Sequence, residues 1–278
     1  MPQPSAILCP RCRKLINADE PSCPHCGLSR PGSRRHFALR SLGRLSEDNV
    51  LSYLLYLNVG MYLLSLVLAP SRVGLSANPF ALLSPSDRSL LWLGATGTIP
   101  IDHFGRWWTL LAANYLHGSV LHIFFNMAAI HQLGPLVLRE YGLHRTVVLY
   151  TLGGVLGFWV SYVAGVHLTI GASAALCALI GAMLYYGRSR GGAYGQAVFQ
   201  QIWGWALGIF LFGLLVPGIN NWGHGGGMAA GWLLGMALGY RERRRESRVH
   251  RVLSAGCVVA TLGVLGWAVT TGFLARLL

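Results

Sequence analysis

The chain has 278 residues, of which 53% are hydrophobic and 11% charged, and its mean hydropathy is +0.48; a soluble domain carries about 25% charged residues, so this composition excludes one. Lys and Arg number 22 against 9 acidic residues, a net charge of +13. Asp19, Glu20, Glu47, Asp48, Asp87, Asp102, Glu140, Glu242 and Glu246 all lie outside the apolar runs, which argues against a proton relay through membrane carboxylates and leaves Ser, His, Asn, Cys and Tyr for any intramembrane chemistry.

Residues 1–30 stand apart. Cys9-Pro-Arg-Cys12 and Cys23-Pro-His-Cys26-Gly27 give C-x2-C-x10-C-x2-C. Four thiolates at that spacing surround one tetrahedral zinc with no open position, so Cys9, Cys12, Cys23 and Cys26 are expected to form a structural, zinc-ribbon-like site. Two local disulfides or a redox pair are the competing readings. So short a segment cannot build its own core, and metal binding would supply most of its stability. Arg11, Arg13 and Lys14 are too few to suggest nucleic acid; a cytosolic partner of the module is the other expectation.

A basic linker at 31–49 follows, and seven spans are predicted at 50–69, 108–133, 146–165, 171–187, 198–216, 222–240 and 252–273, with no signal peptide expected ahead of them. The segment 70–106 has apolar pieces too short to cross and is expected to lie in the outer interface. Arginines on alternate loops set the orientation. Those of the linker, Arg139, Arg145, Arg188, Arg190 and the six in the 241–251 loop fall on one side, against Arg72, Arg88, Arg106 and Arg276 on the other. The N-terminus is therefore expected in the cytoplasm and the C-terminus, after the seventh span in 252–278, outside. The fold class that follows is an all-α, multi-pass membrane protein.

This topology brings polar residues to one depth near the outer face. The second span carries His117, His122 and Asn126, the fourth begins Gly171-Ala172-Ser173-Ala174, and the sixth carries His224 near its start. A serine hydroxyl is a weak nucleophile until a base takes its proton, and imidazole is the usual base near neutral pH. With no carboxylate in the spans, Ser173 with His224 is the only conventional nucleophilic pair this region can form; the competing readings are a helix cap or packing residue for Ser173 and a polar residue satisfied by neighbouring backbone for His224. His122 and Asn126, four residues apart on one helix face, could donate to an oxyanion, with an interhelical hydrogen bond as the competing reading. His117 reads as structural, bonding loop backbone. Gly223, Gly227, Gly231, Gly235 and Gly239 form a smooth stripe on the sixth span, against which Ala174, Ala178, Gly181 and Ala182 of the fourth would pack.

Three motifs, His117-Gly-Ser-Val-Leu-His122-Ile-Phe-Phe-Asn126, Gly171-Ala-Ser173-Ala and His224-Gly-Gly-Gly227, resemble the rhomboid intramembrane serine proteases over roughly residues 50–240. The resemblance implies a six-helix catalytic core at 50–240 plus one C-terminal span. In that core Ser173 would be nucleophile and His224 general base, with His122, Asn126 and the Ser173 amide forming the oxyanion hole. Transmembrane proteins would be the substrates, cleaved near the outer face of a bacterial inner membrane, and catalysis would need no cofactor. Entry between the second and fifth spans is implied; the loop at Pro217-Gly-Ile-Asn-Asn221, where Pro and Gly end the fifth span, is expected to act as a lid. The family often has Trp-Arg where this chain has Trp107-Trp108-Thr109, and an aromatic residue where it has Cys177. A catalytically silent relative that binds membrane clients is the alternative.

Overall fold

The computed structural model describes residues 6–9, 14–33, 47–69, 81–216 and 218–277. They fall into two compact units, one within residues 1–46 and the other over 47–278. Cys12, most of the linker, the stretch 70–80 and Pro217 lie outside the described residues.

The small unit is a two-stranded antiparallel hairpin, β1 (Ala6–Leu8) against β2 (Leu15–Asn17), with Ile7 opposite Ile16. Cys9, Ile16 and Cys23 form its buried centre, flanked by Ile7, Cys26 and Leu28.

The large unit is helical: α1 (Glu47–Leu68), short α2 (Asp87–Leu93), α3 (Thr98–Asp102) and α4 (Thr109–Ala112), then α5 (Val120–Tyr141), α6 (Leu143–Val163), α7 (Ser173–Arg190), α8 (Gly192–Leu215), α9 (Asn221–Leu238) and α10 (Arg248–Leu277). Among the described residues, α1, α5, α6, α8 and α10 are long and apolar enough to cross a membrane. They leave large apolar side chains exposed, including Phe124 and Phe125 on α5 and Trp203, Phe210 and Leu215 on α8, as lipid-facing surfaces do.

α7 and α9 are not among those five. They pack against each other at the centre, α6 covers both, α8 lies on α7, α5 lies between α7 and α1, and α10 lies on α6 and α2. Their contact is made by absent side chains: a β-carbon on Gly227 would strike the carbonyl of Ala174, one on Gly231 that of Ala178, and one on Gly181 that of Met228. So close an approach trades lipid contact for dispersion between backbones, and such helices have little need of apolar bulk.

The second span differs from its predicted bounds. Helix α5 starts at Val120, not 108, and runs on to Tyr141. The apolar stretch before it folds separately as α4 and a 3₁₀ turn at Ala113–Tyr115. The reason is a cap: Ser119, in extended backbone, accepts from the His122 amide at 3.2 Å and starts a new helix. Within 81–106, α2 and α3 are too short to span, as the sequence predicts.

At the opposite end from Ser173, Glu246 accepts from the amides of His144 (2.9 Å) and Arg145 (3.3 Å) at the start of α6. The buried Arg145 guanidinium donates to the carbonyls of Tyr141 (3.1 Å) and Arg244 (2.5 Å). These bonds tie the α9–α10 connection beneath the α5–α6 turn, where Gly142 leaves space that a β-carbon would take from Glu246.

Candidate active site

Ser173 is the first residue of α7. The chain reaches it through a bridge from Thr169 to Thr96, then through Gly171, whose amide donates to Ala113 at 2.9 Å. Gly171 has φ +128°, a conformation suited to glycine. A β-carbon there would sit 2.7 Å from His122 Nε2 and 3.5 Å from Ser173 Oγ, so the absent side chain keeps open the space between those two groups.

His224 lies on the first turn of α9, buried against α7. Its Nε2 is 2.9 Å from Ser173 Oγ. The other ring nitrogen, Nδ1, is buried with no hydrogen-bond partner among the described residues, so no carboxylate completes a triad there.

Asn220 fixes the depth of His224. As N-cap of α9 its Oδ1 accepts from Gly223 N–H at 2.9 Å. Its Nδ2 donates to Ser161 Oγ (2.7 Å) on α6 and to Thr169 Oγ1 (2.9 Å) on the segment leading to Ser173. One side chain thus joins the three elements that set the Ser173 and His224 positions. The sequence carries the usual signal, an Asn directly before a helix, but it falls in the segment the sequence reading assigns to a lid.

His122 Nδ1 accepts from Gly118 N–H at 3.2 Å, which puts the proton of the neutral ring on Nε2, the nitrogen nearest Gly171. One turn on, Asn126 Nδ2 donates to the His122 carbonyl at 2.8 Å, and its Oδ1 is buried without a partner among the described residues. His117 departs from expectation. Rather than bonding loop backbone, it is fully buried with neither ring nitrogen hydrogen-bonded among the described residues, and its ring meets that of His122 edge-on at 5.0 Å. A small core of Ile101, Leu110, Ala113, Phe158 and Ala174 underlies Ser173. Cys177 is fully buried one turn after Ser173, and a β-carbon on Gly227 would lie 3.2 Å from its Cβ. An aromatic ring at 177 would crowd this contact.

In the small unit, the sulfurs of Cys9, Cys23 and Cys26 lie within 4.8 Å of one another. Cys9 Sγ and Cys26 Sγ are 3.7 Å apart. Zinc–sulfur bonds of about 2.3 Å in a tetrahedron hold sulfurs about 3.8 Å apart, whereas a disulfide needs about 2.05 Å, so the donor set fits a metal. Cys23 N–H donates to Leu28 (2.8 Å) and Gly27 N–H to Cys23 (2.9 Å), forming the turn that presents two of the thiols.

Residues 104–241 match the family model described as Rhomboid domain. The chain is 32% identical over 156 residues to "Rhomboid protease GluP" of Bacillus subtilis, covering 56% of this chain and 30% of that protein. It is 32% identical over 159 residues to "RHOMBOID-like protein 4" of Arabidopsis thaliana, covering 56% and 40%. With "Rhomboid-like protease 5" of Toxoplasma gondii it shares 29% identity over 168 residues, covering 58% and 20%. The match therefore spans less than half the length of each of these relatives.

Proposed function

We propose, from the match of residues 104–241 to the Rhomboid domain model, that the protein is an intramembrane serine endopeptidase using a Ser173/His224 dyad. The observation that carries this reading is the 2.9 Å contact between Ser173 Oγ and His224 Nε2.

As Ser173 Oγ attacks the scissile carbonyl, His224 Nε2 takes its proton. The negative charge that forms on the carbonyl oxygen is met by His122 Nε2–H, Asn126 Nδ2–H and the Ser173 amide. Collapse breaks the C–N bond, and the proton held by His224 passes to the departing amine. Water then attacks the acyl ester, losing a proton to His224, and the second collapse returns Ser173 Oγ–H and frees the new carboxylic acid. The Gly118 amide supports this scheme because it leaves His122 its donor on the Ser173 side. The silent client-binding alternative has no need of that arrangement.

All seven long helices cross the membrane in this reading, α7 and α9 shielded by α5, α6 and α8. The arginine-rich ends, including Arg139, Arg188, Arg190 and the 241–251 loop, face the cytoplasm with the N-terminus, and Ser173 lies near the outer face. Substrates are transmembrane segments that enter between α5 and α8 and unwind at helix-weakening residues such as Gly. The exposed Phe124 and Phe125 on α5, and the packing of α8 mainly on α7, support entry there. In the N-terminal unit, Cys9, Cys23 and Cys26, with Cys12 as fourth ligand, hold a structural zinc, which fixes the turns of so small a module.

Co-expression with a panel of single-span membrane proteins tests the activity. Shortened products should appear with the wild type and vanish with Ser173→Ala; products that persist in the variant would contradict the proposal.

A further inference from the structure

A cavity of about 180 Å³ lies away from the dyad, between Trp92 of α2, Arg106 and Trp108 of the turn before α4, and Trp267, Thr271 and Ala275 of α10. Three indole rings and one guanidinium make up most of its wall, and among the described residues no acidic side chain lines it. Arg106 spends one nitrogen on the Leu91 carbonyl, 3.3 Å away, and its guanidinium lies 5.2 Å from the Phe104 ring centroid. Arg88 stacks over the Trp92 ring at 4.5 Å. Arg276, next to Ala275, donates to the Val67 carbonyl at 3.2 Å. Among the described residues none of these three arginines is in an ion pair. They are also the described arginines of the side where the sequence puts fewest cations, and they gather at one end of α10.

We propose that this cavity is a binding site for one glycerophospholipid of the leaflet it faces, with the phosphate on Arg106 and the acyl chains along α10. The two halves of the lining ask for the two halves of that molecule. A guanidinium with N–H groups left over pairs with a phosphate in fork geometry. Tryptophan sits at headgroup level, where one edge is wet and the body is apolar. An uncharged lipid would leave the remaining Arg106 donors unmatched among indoles. A free phosphate would gain nothing from three tryptophans. The exposed Trp267 and Leu274, on the same face of α10 as Thr271 and Ala275, extend the apolar lining for the acyl chains. Because the walls come from α2, the α4 turn and α10, an occupant fastens the last helix to the outer short helices. The proposal does not depend on Ser173.

The test uses the full chain, purified and delipidated in detergent, with dioleoylphosphatidylglycerol, dioleoylglycerol or inorganic phosphate added. Melting temperature and lipid retention by native mass spectrometry are the readouts. The phospholipid should raise the melting temperature by about 5 °C and be retained as one molecule, and the other two should do neither. Arg106→Gln should weaken retention about tenfold. Thr271→Trp, which fills the cavity and leaves Arg106 in place, should abolish it and keeps the test valid if the first variant does not fold. Equal stabilisation by dioleoylglycerol or by phosphate alone, or full phospholipid retention in either folded variant, would overturn the proposal.

Discussion

Gly231 and Ala178 meet so closely that a β-carbon on the glycine would occupy the position of the alanine carbonyl oxygen. This contact, repeated at Gly227 and Ala174, sets the spacing of α9 and α7 and hence of His224 and Ser173. Gly231→Ala should cost about 1–3 kcal/mol, the range for overpacking a tight contact, and should lower activity by parting the dyad. Gly256→Ala on α10, where a β-carbon meets nothing within 4 Å, should be neutral or stabilising. Thermal melts of both variants in detergent check the pair.

Asn220 separates capping from positioning. Asn220→Asp keeps the acceptor for Gly223 N–H but loses the donations to Ser161 and Thr169. It should lower kcat about tenfold with KM little changed. Asn220→Ala removes the cap as well and should lose about 1 kcal/mol more stability. Steady-state cleavage of a transmembrane reporter, read beside melting curves, distinguishes the two effects.

For the proposed oxyanion donors, His122→Ala and Asn126→Ala should each lower kcat by about 10²–10³, with KM nearly unchanged, because such donations strengthen only as charge develops. A change confined to KM would assign these residues to substrate binding.

Metal content tests the small unit. The full chain should carry one zinc, lost with Cys9→Ser or Cys23→Ser and retained with Cys177→Ser, since Cys177 is buried beside the dyad. Elemental analysis of the purified proteins gives the ratio directly.

The proximity of Ser173 and His224 was legible because both are placed by backbone periodicity: small residues four apart on two helices let them close, and the span order puts both residues at one end. The bounds of α5 were not. An apolar run from Trp108 to Leu116 looks the same whether it continues a span or folds as α4 and a turn, and only the Ser119 cap decides. Helices α7 and α9 follow the segments predicted at 171–187 and 222–240, although Gly, Ser, His and Arg dilute their apolar content below that of the five more apolar helices, because neighbouring helices shield them from lipid. His117 shows a further limit: its burial against the His122 ring is a tertiary contact with no local signature. The cavity at Arg106 likewise joins residues over 160 positions apart.

The most direct measurement is covalent labelling by a serine-reactive fluorophosphonate in detergent-solubilised protein. The wild type should label, Ser173→Ala should not, and His224→Ala should label far more slowly for want of the base. No label on the wild type, or equal label on Ser173→Ala, would contradict the Ser173/His224 dyad.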